Sequence, residues 1–135
     1  MKNEAVNPAP SKRCWVKIVV FVPESHANVV REAMGKAGAG WIGNYKYSSF
    51  SVKGMGRFFP LKSARPAIGK VGRLETVVEE RIETVCYQKD LDKMIRAIKK
   101  VHPYEEVVID VYPLISNPRK ILYKNNRRSK KCRLI

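Results

Sequence analysis

The chain has 135 residues, 44% of them hydrophobic, and a formal net charge of +15. That length suits one packed domain and excludes two of ordinary size. No apolar run approaches the roughly 20 residues of a membrane-spanning helix, and residues 1–10 lack the apolar stretch of a secretory signal, so a cytoplasmic protein with no membrane partner is expected.

Asn7-Pro8-Ala9-Pro10 reads as an extended leader, since proline lacks an amide donor and biases its predecessor away from helix. Residues 15–22 then form a strand-like run. Val16, Ile18, Val20 and Val22 share one face, and Trp15, Val19 and Phe21 share the other around Lys17. Two apolar faces imply a central strand, covered by helices on one side and by another subunit on the other.

Pro23-Glu24-Ser25 is a strand-to-helix junction in which Ser25 is expected to cap free amides. Val29, Val30, Ala33, Met34 and Ala37 recur at helical spacing, and Gly38 is the expected stop. A second strand is expected over residues 41–52. Lys53-Gly54-Met55-Gly56-Arg57 then reads as a turn leading to a short strand, and residues 63–72 as a loop.

Residues 74–87 read as one or two strands, with Glu79, Arg81 and Glu83 exposed opposite Ile82. A second helix starts near Asp90 and buries Leu91, Met94, Ile95, Ile98 and Val101, while Lys93, Arg96, Lys99 and Lys100 face water. Pro103 ends it, and residues 106–114 form the last strand. This order predicts an α+β domain of ferredoxin-like split β-α-β type, with a mostly antiparallel sheet and two helices on one face. The division expected is a flexible leader (1–14), the domain (15–115) and a flexible basic tail (116–135).

Three segments bear on chemistry. His102-Pro103-Tyr104-Glu105-Glu106 joins a helix exit to a polar cluster, and two readings stand. His102, Tyr104 and Glu105 are ligand candidates, and His102 with Glu105 could share a divalent metal. Alternatively the segment is a structural corner, in which His102 meets the negative helix end, Pro103 stops the helix and Tyr104 buries its ring. Gly40-Trp41-Ile42-Gly43-Asn44-Tyr45 makes Gly43 and Asn44 candidates for close approach to a ligand. Its glycines precede a strand instead of opening a helix, so it is no dinucleotide fingerprint.

The third segment is the tail, where residues 116–135 hold eight Lys or Arg and no acid. Residues 16–115, with sixteen bases and eleven acids, carry only +5, so most of the excess charge lies outside the domain. Arg127, Arg128, Lys130 and Lys131 are the nucleic-acid candidates, set against a merely solvated tail. Cys14, Cys86 and Cys132 show no zinc or disulfide spacing, no cofactor is expected, and His26 and His102 fall into no local catalytic triad.

The 17–23 strand, residues 37–45, Ser49-Phe50-Ser51 and the His102-to-Glu106 segment occur in an order that resembles the inserted domain of the NIF-three-like (NGG-one-interacting factor three) family. Residues 54–58, 68–72 and 81–85 extend the resemblance, which covers about residues 16–115. It implies a PII/CutA-like domain that assembles as a trimer around a three-fold axis. It also implies that the family's dinuclear metal ligands lie in segments flanking the insert, so the sequence is read as a stand-alone version. Three functions follow as expectations: a non-catalytic oligomeric binding or regulatory module taking a small molecule, ion or protein partner; a metal-dependent hydrolase at a subunit interface using His26, His102 and nearby carboxylates; or a nucleic-acid accessory protein acting through the tail.

Overall fold

The computed structural model describes residues 14–115. Four strands form one antiparallel sheet in the order β2-β3-β1-β4: β1 (Trp15–Pro23), β2 (Phe50–Phe58), β3 (Glu75–Tyr87) and β4 (Ile109–Leu114). Helix α1 (Ala27–Lys36) links β1 to β2, and α2 (Leu91–Val101) links β3 to β4. This is the split β-α-β arrangement expected from the sequence.

β1 lies between β3 and β4, so its backbone is paired on both sides. Its even positions Val16, Ile18, Val20 and Val22 are buried in one cluster with Val30 and Met34 of α1, Ile82 of β3, and Met94 and Ile98 of α2. Alternation along the strand meets helical spacing along α1 and α2, which is why both helices lie on the same side of the sheet. Each fully buried aliphatic side chain contributes about 1.5–3 kcal/mol of transfer free energy. On the opposite face Trp15 and Val19 are also buried, whereas Phe21 is half-buried.

Helix α1 ends as anticipated at Gly38, whose φ of 105° is the left-handed conformation that glycine tolerates. The amides of Gly38 and Ala39 donate to the carbonyls of Gly35 and Met34, which closes the last turn. The start of α1 differs from expectation. Ser25 caps no amide; its hydroxyl is instead 2.8 Å from Nδ1 of His26.

The larger departure is β2, which runs over Phe50–Phe58 and not over residues 41–52. Gly40, Gly43 and Tyr47 all have positive φ, between 54° and 80°, and this breaks an extended chain before Phe50. The glycines at 54 and 56, read as turn residues, lie inside the strand. The long β3 presents a continuous partner from Glu75 to Glu83, and pairing with it overrides the local turn preference. β4 likewise begins at Ile109, later than expected.

Along β3, Glu79, Arg81 and Glu83 are half-buried where exposure was expected. Three of the strand's four glutamates pair with cations: Glu75 with Arg73, Glu80 with Arg31 at 2.7 Å, and Glu83 with Arg81 at 2.9 Å. Cys86 is a free thiol in the core, and burial pushes its pKa up to about 12. Among the described residues no helix is long and apolar enough to cross a membrane.

Candidate functional site

The corner after α2 is built by His102. Its backbone leaves the helix for an extended conformation, and its ring is buried. Nε2 lies 2.7 Å from the Phe21 carbonyl, while Nδ1 lies 3.1 Å from the Tyr104 amide. An amide can only donate, so Nδ1 accepts, and the ring is neutral with its proton on Nε2, donating to Phe21. Desolvation lowers the His102 pKa against the opposing hydrogen bond to Phe21. The imidazole is therefore not the cation at the helix end that its position suggested.

Both ring nitrogens being engaged, His102 has no lone pair for a metal. Glu105 is exposed and accepts the backbone amide of Arg65 at 2.9 Å, which fastens the 59–68 loop to the corner. Among the described residues no group of three His, Cys, Asp or Glu has metal-holding geometry. His102 and Glu105 do not fit a metal ion.

What the corner does form is the wall of a cavity of ≈ 380 Å³, between the end of β2, the 59–68 loop and residues 104–108. That volume falls within the roughly 300–1,000 Å³ of small-molecule sites. Its apolar surface comes from Phe21, Phe58, Phe59, Pro66, Ile68 and Val108, and its polar groups are Arg57, Glu79, Tyr104, Glu105 and Glu106. Tyr104 is wedged edge-on against Phe58, with ring centroids 6.1 Å apart. Its hydroxyl is sealed from water and lies beside the Glu79 carboxylate. Burial raises the phenol's pKa well above its ordinary value, and the neighbouring Glu79 carboxylate raises it further.

Glu79 reaches the cavity because Gly56 has no side chain. A Cβ at position 56 would stand 1.4 Å from Oε1 of Glu79. From the sequence, Arg57 reads as part of a basic turn, Glu79 as an exposed strand residue, and the phenylalanines do not stand out; the one available signal for the cavity is a glycine inside a strand, which often marks close approach of another group.

Of the residues singled out from the sequence, the structure brings Tyr104 and Glu105 to this cavity and sets His102 behind it. Gly43 and Asn44 lie elsewhere, exposed at the tip of a two-residue turn closed by the Ile42–Tyr45 bridge. That turn follows Gly40, which bonds to Val85 opposite Lys17, whereas His102 bonds to Phe21. Four residues of strand separate those anchors, about 13 Å. Arg127, Arg128, Lys130 and Lys131 lie outside the described residues.

No family model matches the chain. Two curated relatives, each named GTP cyclohydrolase 1 type 2 homolog, are similar to it. That of Halalkalibacterium halodurans is 52% identical over 111 residues, which are 82% of this chain and 30% of the relative. That of Bacillus subtilis is 50% identical over 103 residues, 76% of this chain and 27% of the relative. The chain thus spans less than a third of the length of either.

Among solved structures, a Bacillus cereus protein related to NIF3 is 47% identical with a TM-score of 0.68, over 80% of this chain and 28% of that one. CutA from Xylella fastidiosa is 12% identical with a TM-score of 0.57, over 79% of this chain and 88% of that one, a likeness of fold alone. Sequence and fold therefore agree: the described domain has a CutA-like fold and is similar to a segment of NIF-three-like proteins.

Proposed function

We propose that residues 15–115 are a non-catalytic binding module, which works as a homo-oligomer and takes a small molecule in the cavity beside Tyr104 and Glu105. The observation that carries this reading is the cavity itself, where apolar walls surround a few convergent polar groups. The open face of the sheet, opposite the helices, supports the oligomer. Phe50, Val52 and Tyr112 remain largely exposed there, and a second copy would cover them. A trimer is the assembly that the resemblance to PII/CutA-like domains implies.

The competing reading is an enzyme, which the name of the curated relatives raises. The hydrolase version needs His26 and His102 as ligands or bases. His102 has both nitrogens engaged, and Nδ1 of His26 lies 2.8 Å from the Ser25 hydroxyl. Incubating the purified chain with GTP and divalent metal tests the choice. The binding reading expects no turnover; turnover abolished by His102→Ala in a folded variant would overturn it. Sedimentation equilibrium tests the assembly, with a trimer expected and a monomer at micromolar concentration contradicting it.

A further inference from the structure

The cavity beside Tyr104 has one feature that points to the chemistry of its ligand. Glu75, Glu80 and Glu83 of β3 each hold a cation, but Glu79, half-buried on the same strand, has no ion-pair partner among the described residues. Cations are available to it, since residues 16–115 hold sixteen bases against eleven acids. Glu79 instead faces the cavity, with the buried Tyr104 hydroxyl beside its carboxylate.

Glu105 and Glu106 add carboxylates to the lining, against the single guanidinium of Arg57. Arg57 is exposed and makes no ion pair with any of them. The remaining wall is aromatic, and Phe21 already takes a cation, with the Arg81 guanidinium 5.7 Å from its ring centroid. Carboxylates set into aromatic walls attract an ammonium twice, through charge and through the ring faces. A divalent ion would ask for convergent oxygen ligands, which these residues do not present.

We infer that the cavity binds a small organic cation, an amine with an apolar or aromatic body, whose ammonium lies against Glu79 and whose body rests on Phe21, Phe58 and Phe59. This rests on the binding reading above and names its ligand class. Gly56 then has a functional reason: it leaves the space that the Glu79 carboxylate occupies.

Three probes of similar shape test it on the full chain: phenethylammonium, the neutral 2-phenylethanol and the anionic 3-phenylpropionate. Amide resonances of residues 56–59 and 104–106 are followed by two-dimensional NMR during titration. The inference expects saturable shifts with phenethylammonium only, weakened about tenfold or more by Glu79→Gln. Equal binding of the alcohol or the acid at those residues overturns the cation preference and leaves the binding module standing. Unchanged amine affinity in Glu79→Gln overturns the role of Glu79. Silence of these resonances with all three probes overturns the cavity as a ligand site, and the binding reading with it.

Discussion

The Nε2 proton of His102 bonds the carbonyl of Phe21 across 2.7 Å, and this single contact ties the exit of α2 to the end of β1. Because the opposite nitrogen holds the Tyr104 amide, the same ring also sets the direction in which the chain leaves the helix. Replacement by alanine leaves a buried carbonyl and a buried amide to find new partners. His102→Ala is expected to lose about 1–3 kcal/mol of stability in urea denaturation. Phe58 and Tyr104 resonances should broaden as the corner loosens.

The same ring gives the fold a pH dependence. Its pKa in the folded protein is below the ordinary value of 6.5, so the unfolded chain binds the proton more readily. His102 therefore costs no stability above about pH 6.5 and weakens the fold as pH falls from there through the depressed folded value. Melting temperatures between pH 7.5 and 5 should decline, and the decline should be shallower in His102→Gln. An identical slope in the variant would assign the effect to other groups.

Glu80 and Arg31 form the most enclosed ion pair, at 2.7 Å with side chains 11% and 27% exposed. Arg31 also donates to Ser51, so the pair joins α1 to both β3 and the edge strand β2. Glu80→Ala should cost about 1–3 kcal/mol. The pair of Glu32 and Lys36 on the surface of α1 is more than half exposed, and Glu32→Ala should change stability by less than about 0.5 kcal/mol. Chemical denaturation of the two variants side by side checks the ordering.

Two glycines of β2 should behave differently. A methyl group at Gly54 meets nothing within 4 Å, and Gly54→Ala should be neutral or gain a few tenths of a kcal/mol, on the order of the entropy saved. A methyl group at Gly56 would take the place of the Glu79 carboxylate. Gly56→Ala should keep the fold, displace Glu79 and abolish the phenethylammonium-dependent shifts.

Cys86 should be chemically silent. Its thiol is buried and held far from ionisation at neutral pH. Iodoacetamide at pH 8 should leave it unmodified in the folded protein and modify it readily in guanidinium, as read by mass spectrometry of its peptide.

Much of the fold is legible in the sequence because its strongest signals are local and periodic. The alternation of Val16, Ile18, Val20 and Val22, the helical stripe from Leu91 to Val101 and the stop at Gly38 each follow from side-chain spacing or backbone freedom. The position of β2 is not local. It depends on how far β3 extends as a pairing partner and on Tyr47 adopting a positive φ, neither of which residues 41–58 reveal by themselves.

The candidate site was half legible for a similar reason. Tyr104 and Glu105 stand out as neighbours in sequence, but Glu79 and Phe58 join them only through strand pairing and the fold of the 59–68 loop. His102 drew attention as reactive chemistry, yet its hydrogen bonds make it the brace behind the cavity. Gly43 and Asn44 were placed by the sequence next to aromatics, and the fold carries them to a separate turn.

Whether the cavity takes an organic cation is decided by a crystal of the full chain soaked in phenethylammonium. The amine is expected within the cavity walled by Phe21, Phe58 and Tyr104, with its nitrogen at hydrogen-bond distance from the Glu79 carboxylate. Density for the amine elsewhere with this cavity empty, or an orientation that turns the ammonium away from Glu79, would contradict it.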